Sequence, residues 1–444
     1  MKYDSRDLLF IAFCSFLLSG CTDQGGLMGT GLFSKSAPPP LEGKRIFLSQ
    51  DLPIVCGMNL TKDHYAEACQ ELSSWPQACY KADHRIVPVK LGHTYKQQWT
   101  CSRMFYPPRL GVMPVTMGDS IFLLTSHGSV ASINFQGQVI WEVNLVPPAN
   151  PFSNLGGGLA HDGKHLFVTT SWGELLALGK GGTILWRKTL SSPARNAPVV
   201  EDNQVFVLTM KNQVEAYDVS TGRQNWTYSA LVEETQLLGT SVPAICGEKL
   251  VFAGSSGEVI ALSKKNGEEL WNASGAPLTL SGEASKFSHI RSLPVIHNGR
   301  VYTVSYNGQL SCFSLQSGRS LWTYALSSTE TPVVAGNVLF SLSGGHHLMA
   351  FHAETGKVFK SYTLPGDQTW KGPIMAGGSL LLTSDQGNVI TLDPLSSKIK
   401  PLITLDEPCM ASPIIVKSHL IFLGQSGNLF FYSPCSVKQL PLLQ

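Results

Sequence analysis

Residues 198–226 read PVVEDNQVFVLTMKNQVEAYDVSTGRQNW. The stretch falls into four short pieces separated by turn residues. Pro198 has no N–H to give to a ladder, so it suits the first residue of a strand. Val205-Phe206-Val207-Leu208 is apolar, too short for a helix and bounded by turn signals, which predicts a buried strand. Lys211-Asn212 supplies the left-handed residue of a tight hairpin. Val214 to Tyr217 makes a third strand, Asp218 to Gly222 the next turn, and Arg223 to Tyr228, with Trp226, a fourth. One unit therefore predicts four antiparallel strands.

The unit recurs with a period of about 42 residues. Its Pro stands at 114, 198, 243, 294, 332, 373 and 413. Fourteen residues on comes a turn position: Gly128, Asn212, Gly257, Gly308, His346, Gly387 and Gly427. An eighth unit has Leu159 and Gly173 at the same spacing. Thirteen or fourteen residues after the turn stands Trp141, Trp186, Trp226, Trp271 or Trp322, each with a Gly four residues before it; Lys360 and Pro401 fill this slot in two units. A four-stranded sheet cannot bury both faces alone, so such units stack around an axis, with Trp as an apolar plug between neighbours. Gly punctuation and the absence of a 3.6 period exclude a helical repeat. The last unit has three strands and then runs out of chain. Tyr95 to Trp99 fits as its fourth, because Trp99 lies 42 residues before Trp141. The expectation is an all-β fold, an eight-bladed β-propeller of four-stranded antiparallel blades closed by an N-terminal strand, plus a small Cys-containing N-terminal insertion.

Charged residues are only 14% of the 444, against a usual figure of about 25%, which favours short strands and turns over charged helices. The net charge of +2 gives no electrostatic case for nucleic-acid binding. No apolar run reaches the ~18 residues of a spanning helix. Leu8 to Leu18 is apolar, follows Lys2 and Arg6, and leads into Leu18-Ser19-Gly20-Cys21, which resembles a bacterial lipobox; Cys21 would carry the lipid. Thr22 after it favours transfer to the outer membrane. The expected organisation is a signal peptide over 1–20, a flexible tether over 21–50, a Cys-rich insertion with a short helix from Thr61 to Leu72 over 51–93, the propeller over 94–435 and a tail over 436–444.

The repeat stretch Tyr217 to Trp226 resembles that of propellers named after pyrroloquinoline quinone. With the lipobox and eight blades, the chain from about Trp99 to Tyr432 resembles the BamB family of outer-membrane assembly factors. That resemblance implies a non-enzymatic, lipid-anchored scaffold facing the periplasm. It implies contact with the β-barrel insertase BamA and, beyond it, unfolded outer-membrane proteins held by strand addition. A family partner loop, Leu-Ser-Leu-Arg-Gly-Glu-Ser-Ala-Pro, aligns with Thr235 to Pro243, where Leu237, Gly239 and Ser241 match; Leu238 replaces the Arg and Thr240 the Glu. A second, Asp-Val-Asp-Thr-Thr-Pro, aligns with His289 to Pro294. Both acids are gone, and Arg291 inverts the sign of one. The altered loops and the insertion leave open an adaptor in another envelope machine, or a cofactor- or carbohydrate-binding propeller.

An oxidising periplasm predicts disulfides. Bridges are expected among Cys56, Cys69, Cys79 and Cys101, with Cys409 and Cys435 as further participants, and Cys312 as a buried free thiol. No C-x2–4-C pair supports a zinc site. No adjacent cysteines support a quinone cofactor, and no G-x-S-x-G turn supports a hydrolase. No catalytic residue, metal or cofactor is expected.

Overall fold

The computed structural model describes residues 58–102, 112–147, 156–194, 196–231, 241–275, 290–306, 308–409 and 411–435. These lie within one compact unit, Pro53–Gln444. They form eight four-stranded antiparallel sheets. In the third, Val199–Glu201, Gln204–Leu208, Gln213–Asp218 and Gln224–Ser229 run from innermost to outermost. Val199 faces Phe206, Val205 faces Tyr217 and Ala216 faces Trp226. Asn212 takes the left-handed conformation at the hairpin, with φ 53°. In the sixth blade that conformation falls on Gly344 and Gly345 rather than on His346, because the turn starts earlier. Most of the repeat prolines stand just before the inner strand, not at its first residue; Pro373 lies inside Trp370–Ala376, where the ladder is interrupted.

The second and third strands of each blade are buried along nearly their whole length, and the outermost strands mostly alternate. The cause is stacking. Each middle strand has a neighbouring sheet on both faces and therefore reads as a continuous apolar run. The cores lie between blades, not within them. One cluster joins Phe206 and Val214 of blade three to Ile245, Phe252 and Ile260 of blade four; another joins Phe167 and Leu175 of blade two to Val205 and Tyr217 of blade three.

The tryptophans work across the same seams. Trp99, Trp141, Trp186, Trp226, Trp271 and Trp322 each donate their indole N–H to a backbone carbonyl of the next blade: Phe135, Lys180, Val219, Lys264, Leu315 and Ala353. Each ring rests on a glycine of that next blade. A Cβ at Gly267 would stand 2.5 Å from Trp226, and one at Gly222 would stand 2.7 Å from Trp186. The Gly four residues before each Trp thus serves the preceding blade's Trp. Blade six shows it: Lys360 replaces its Trp, yet Gly356 remains under Trp322. Lys360 Nζ donates to the Leu395 carbonyl of blade seven, 2.9 Å away, and Ser397, with φ 59°, stands in blade seven at the repeat's glycine position. Pro401 of blade seven pairs with Ile390 in its own sheet and is exposed.

That eighth blade is Ile414–Val416, His419–Leu423 and Leu429–Pro434, completed by Tyr95–Cys101. Trp99 faces Phe431 in the ladder and stacks on it at 5.1 Å and 7°. The ring closes as the repeat spacing predicts.

The expected helix from Thr61 to Leu72 is a single turn, Lys62–Tyr65, after which Ala66 turns extended. The chain has another task there. Between His64 and Val89 it accepts at least one inner-strand or inner-turn N–H from every blade. Thr116 donates to Trp75, His161 to Pro76, Ile245 to Ala82, Ile296 to Asp83, Asn337 to His64, Gly377 to Val89 and Lys417 to Leu72. Val200 donates to the Gln77 side chain at 3.0 Å. Inner strands are sheet edges with unpaired donors, and the segment from His64 to Val89 is a plug that pairs them.

Candidate functional site

Two features of the ring can meet other molecules: the connections that enter the inner strands of blades four and five, and the central channel. Ser241 and Ile290 begin the described parts of the two connections. Ser241 is buried, and its hydroxyl donates to the Ser292 carbonyl at 3.4 Å. Ile290 and Ser292 are also buried, and Ser292 Oγ both donates to the Val304 carbonyl at 2.8 Å and receives the Val304 N–H. Arg291 stands between these two buried residues and is exposed. The bases of the two loops are therefore stitched together, and a guanidinium projects from the stitched base. Leu237, Leu238, Gly239, Thr240 and His289 lie outside the described residues, as do Cys21 and Cys56.

The channel holds a cavity of about 280 Å³. Blades contribute residues just before or within their inner strands, including Pro114, Pro332, Pro373 and Pro413; the plug contributes Trp75, Cys79, His84 and Ile86. His84 Nδ1 lies 2.8 Å from the Pro294 carbonyl. A carbonyl only accepts, so Nδ1 carries the proton and Nε2 is an acceptor. Burial pulls the His84 pKa down to about 4 and pushes the Cys79 thiol up to about 12. Both stay uncharged at neutral pH. Arg291 and Glu330 also border the cavity; Glu330 is held by Lys371 at 3.7 Å and by the Gly372 N–H at 3.3 Å. Sequence reading missed the plug's share of this wall, because nothing periodic marks it.

The expected disulfides are corrected. Cys69, Cys79, Cys101, Cys409 and Cys435 all carry free thiols. Cys101 pairs with Leu429 at one end of the closing ladder, and Cys435 follows Pro434 at the other. Six residues of strand separate them by roughly 20 Å, against about 7 Å at most for bridged Cα atoms. Cys409 is buried in an interblade core, and burial pushes its thiol up to about 12. Cys79 packs against the same core. Cys312 is a buried free thiol, as expected.

A family model described as outer membrane protein assembly factor BamB matches residues 126–362, more than half of the chain. The chain belongs to the BamB family. The match ends at blade six, where the Trp marker is lost. BamB of Burkholderia pseudomallei is 26% identical over 387 residues, covering 85% of this chain and all of that one. BamB of Yersinia pestis is 24% identical over 328 residues, 72% of this chain and 84% of that protein. The crystal structure of BamB from Moraxella catarrhalis superposes with a TM-score of 0.66 at 20% identity, over 77% of this chain and all of that one. A europium-containing methanol dehydrogenase shares the fold at 12% identity and a TM-score of 0.62, over 82% of this chain and 89% of that one. BamB proteins thus share their ring with an enzyme, and the fold does not decide between scaffold and catalyst.

Proposed function

We propose that this chain is a non-enzymatic assembly factor for outer-membrane β-barrel proteins, anchored through Cys21 in the outer membrane and facing the periplasm. Membership of the BamB family carries the reading. Contact is made with BamA through the connection that contains Leu237, Leu238, Gly239, Thr240 and Ser241 and the one that contains His289 and Arg291. The stitched bases at Ser241 and Ser292 support it, because adjacent rigid loops present a fixed surface at little entropic cost. Leu237 and Leu238 act as apolar anchors, each contributing at most about 1.5–3 kcal/mol. Arg291 sets the sign of the contact and meets an acidic patch on the partner.

The test is affinity purification of a tagged chain from detergent-solubilised membranes, beside a Leu237→Asp/Leu238→Asp variant and Arg291→Glu. Recovery of BamA with the wild type and its loss with both variants is the expected result. Recovery of BamA with both variants moves the contact elsewhere on the ring. Recovery of another envelope machine in its place assigns the scaffold to that machine.

A further inference from the structure

The plug carries an inference about how the ring responds to acid. Three histidines stand where it meets the blades: His84 on the plug itself, His161 in blade two and His297 in blade five. At two of them the neighbours leave no place for a second proton. His161 Nε2 lies 2.8 Å from the Thr116 carbonyl, and the Gly163 N–H donates to its Nδ1 at 3.0 Å. A carbonyl only accepts and a backbone N–H only donates, so Nε2 carries the proton and Nδ1 is spent as an acceptor. A second proton would set two N–H groups against each other. The same Thr116 carbonyl takes the Trp75 N–H at 3.1 Å, and the His161 N–H donates to the Pro76 carbonyl at 2.8 Å, so this ring shares its anchor with the plug. His84 Nδ1 is spent on Pro294, while the enclosed Nε2 has no hydrogen-bond partner. A proton there would make a buried cation with an unpaired N–H, which is costly. His297 Nε2 donates to the Gly336 carbonyl at 3.2 Å, and the Gly336 N–H donates to Glu67 of the plug at 2.6 Å.

The surrounding charges do not relieve these sites. Arg291 and Glu330 border the cavity that His84 lines, with opposite signs, and Glu330 is held by Lys371. Beside His161, Asp162 favours the cation but already pairs with His165 at 2.9 Å, and Lys180 opposes it. Around His297, Glu67 and Asp83 favour the cation and Arg85 opposes it; Glu67 is paired with Arg85, and Arg300 with Glu354. Asp83, raised by its own burial, pulls against the histidines. Burial lowers all three imidazoles below their ordinary value. A plug that leaves the hub therefore takes up protons first as pH falls. Docking by these groups is complete above about pH 6.5 and weakens towards about pH 4. The ladders within the blades do not pass through these rings. We propose that the plug is an acid-sensitive latch, which closes the channel at neutral pH and leaves the hub on acidification while the eight blades stay closed.

The test uses the full chain with Cys21→Ser, to prevent lipidation, and a dithiodipyridine, which labels thiols in acid as well as at neutral pH. Peptide mass mapping reads each cysteine, and every rate is divided by that of glutathione in the same buffer. Cys79 reports on the plug, because burial holds its thiol up at about 12 while docked. Cys312 reports on the ring, because it is buried between blades five and six in a cluster without plug residues. Between pH 7 and pH 4.5 the Cys79 ratio should rise at least about ten-fold, while Cys312 stays within about two-fold. In a His84→Gln/His161→Gln variant the Cys79 rise should shrink below about three-fold. Should that variant leave Cys79 reactive at pH 7, a chain made with ring-fluorinated histidine replaces it. Fluorine keeps the imidazole neutral at pH 4.5 with nearly the same shape, and the rise should again be lost. The proposal is overturned if Cys79 stays protected at pH 4.5, if Cys79 and Cys312 become reactive together, or if the rise persists in the double variant or the fluorinated chain.

Discussion

Trp226 and Gly267 belong to different blades and act as one joint. Trp226 bonds the Lys264 carbonyl at 3.1 Å and covers Gly267, whose φ is 76°. Trp226→Ala should lose about 2–4 kcal/mol in urea unfolding, given a half-buried ring. Gly267→Ala should lose about 1–3 kcal/mol through the steric conflict and the left-handed backbone. In the Trp226→Ala background the same glycine change should cost less, because the new methyl no longer meets a ring; simple additivity would mean the two do not touch in solution. The Gly–Trp spacing is plain in the sequence, but it hides that the two residues of one motif never serve each other. His84 makes a second prediction at this scale. Its folded pKa, about 4, lies below the ordinary 6.5, so the unfolded chain binds the proton first as pH falls. The stability it contributes is complete above about pH 6.5 and is lost on acidification towards about pH 4, amounting to about 3 kcal/mol. His161, His297 and His419 are displaced the same way by burial and add to the slope. Urea unfolding of His84→Gln at pH 7 and pH 4.5 should show a smaller difference than the wild type; an equal difference would refute the assignment.

Among the elements, the closing strand was legible and the plug was not. Tyr95–Cys101 keeps the repeat's spacing, and its Trp99 sits one period before Trp141. The plug has no period. Its partners are single backbone donors, such as His161 for Pro76 and Lys417 for Leu72, and a main-chain hydrogen bond leaves no mark on residue choice. The helix expected from Thr61 to Leu72 stops after one turn for this reason: extended backbone can reach successive blades, whereas helical backbone spends its carbonyls on itself. Removing residues 1–101 should bare the edge of Leu429–Pro434 and drive self-association, visible as higher mass in light scattering. Deleting residues 64–89 while keeping Tyr95–Cys101 should leave a ring that melts earlier. At least eight inner-blade donors would turn to water, at a combined cost on the order of 5 kcal/mol. An unchanged melting temperature would show that the plug is only a cover.

Across the whole ring, no blade owns a core. Phe206 answers to Phe252 and Ile260, and Val205 answers to Phe167. Each seam depends on the sheets on both sides of it, so the unit should unfold in one step. Tryptophan fluorescence and far-ultraviolet circular dichroism should give coincident urea transitions; separated midpoints would reveal blades that stand alone. The repeat count and the blade order could be read from residue spacing, since local turns dictate them. The stitched loop bases at Ser241 and Ser292 and the cavity wall at His84 could not, since each joins residues far apart in sequence.

The plug also fixes a number. Propellers enlarge by copying a blade, and a copied blade here would bring its own strands, its own Gly and its own Trp. It would not bring another acceptor between His64 and Val89, where at least one N–H from each of eight blades already has its place. A ninth blade would widen the circle around a hub cut for eight, and the hub would have to lengthen in the same event. The segment least like a repeat is thus the part of the chain fitted to eight blades.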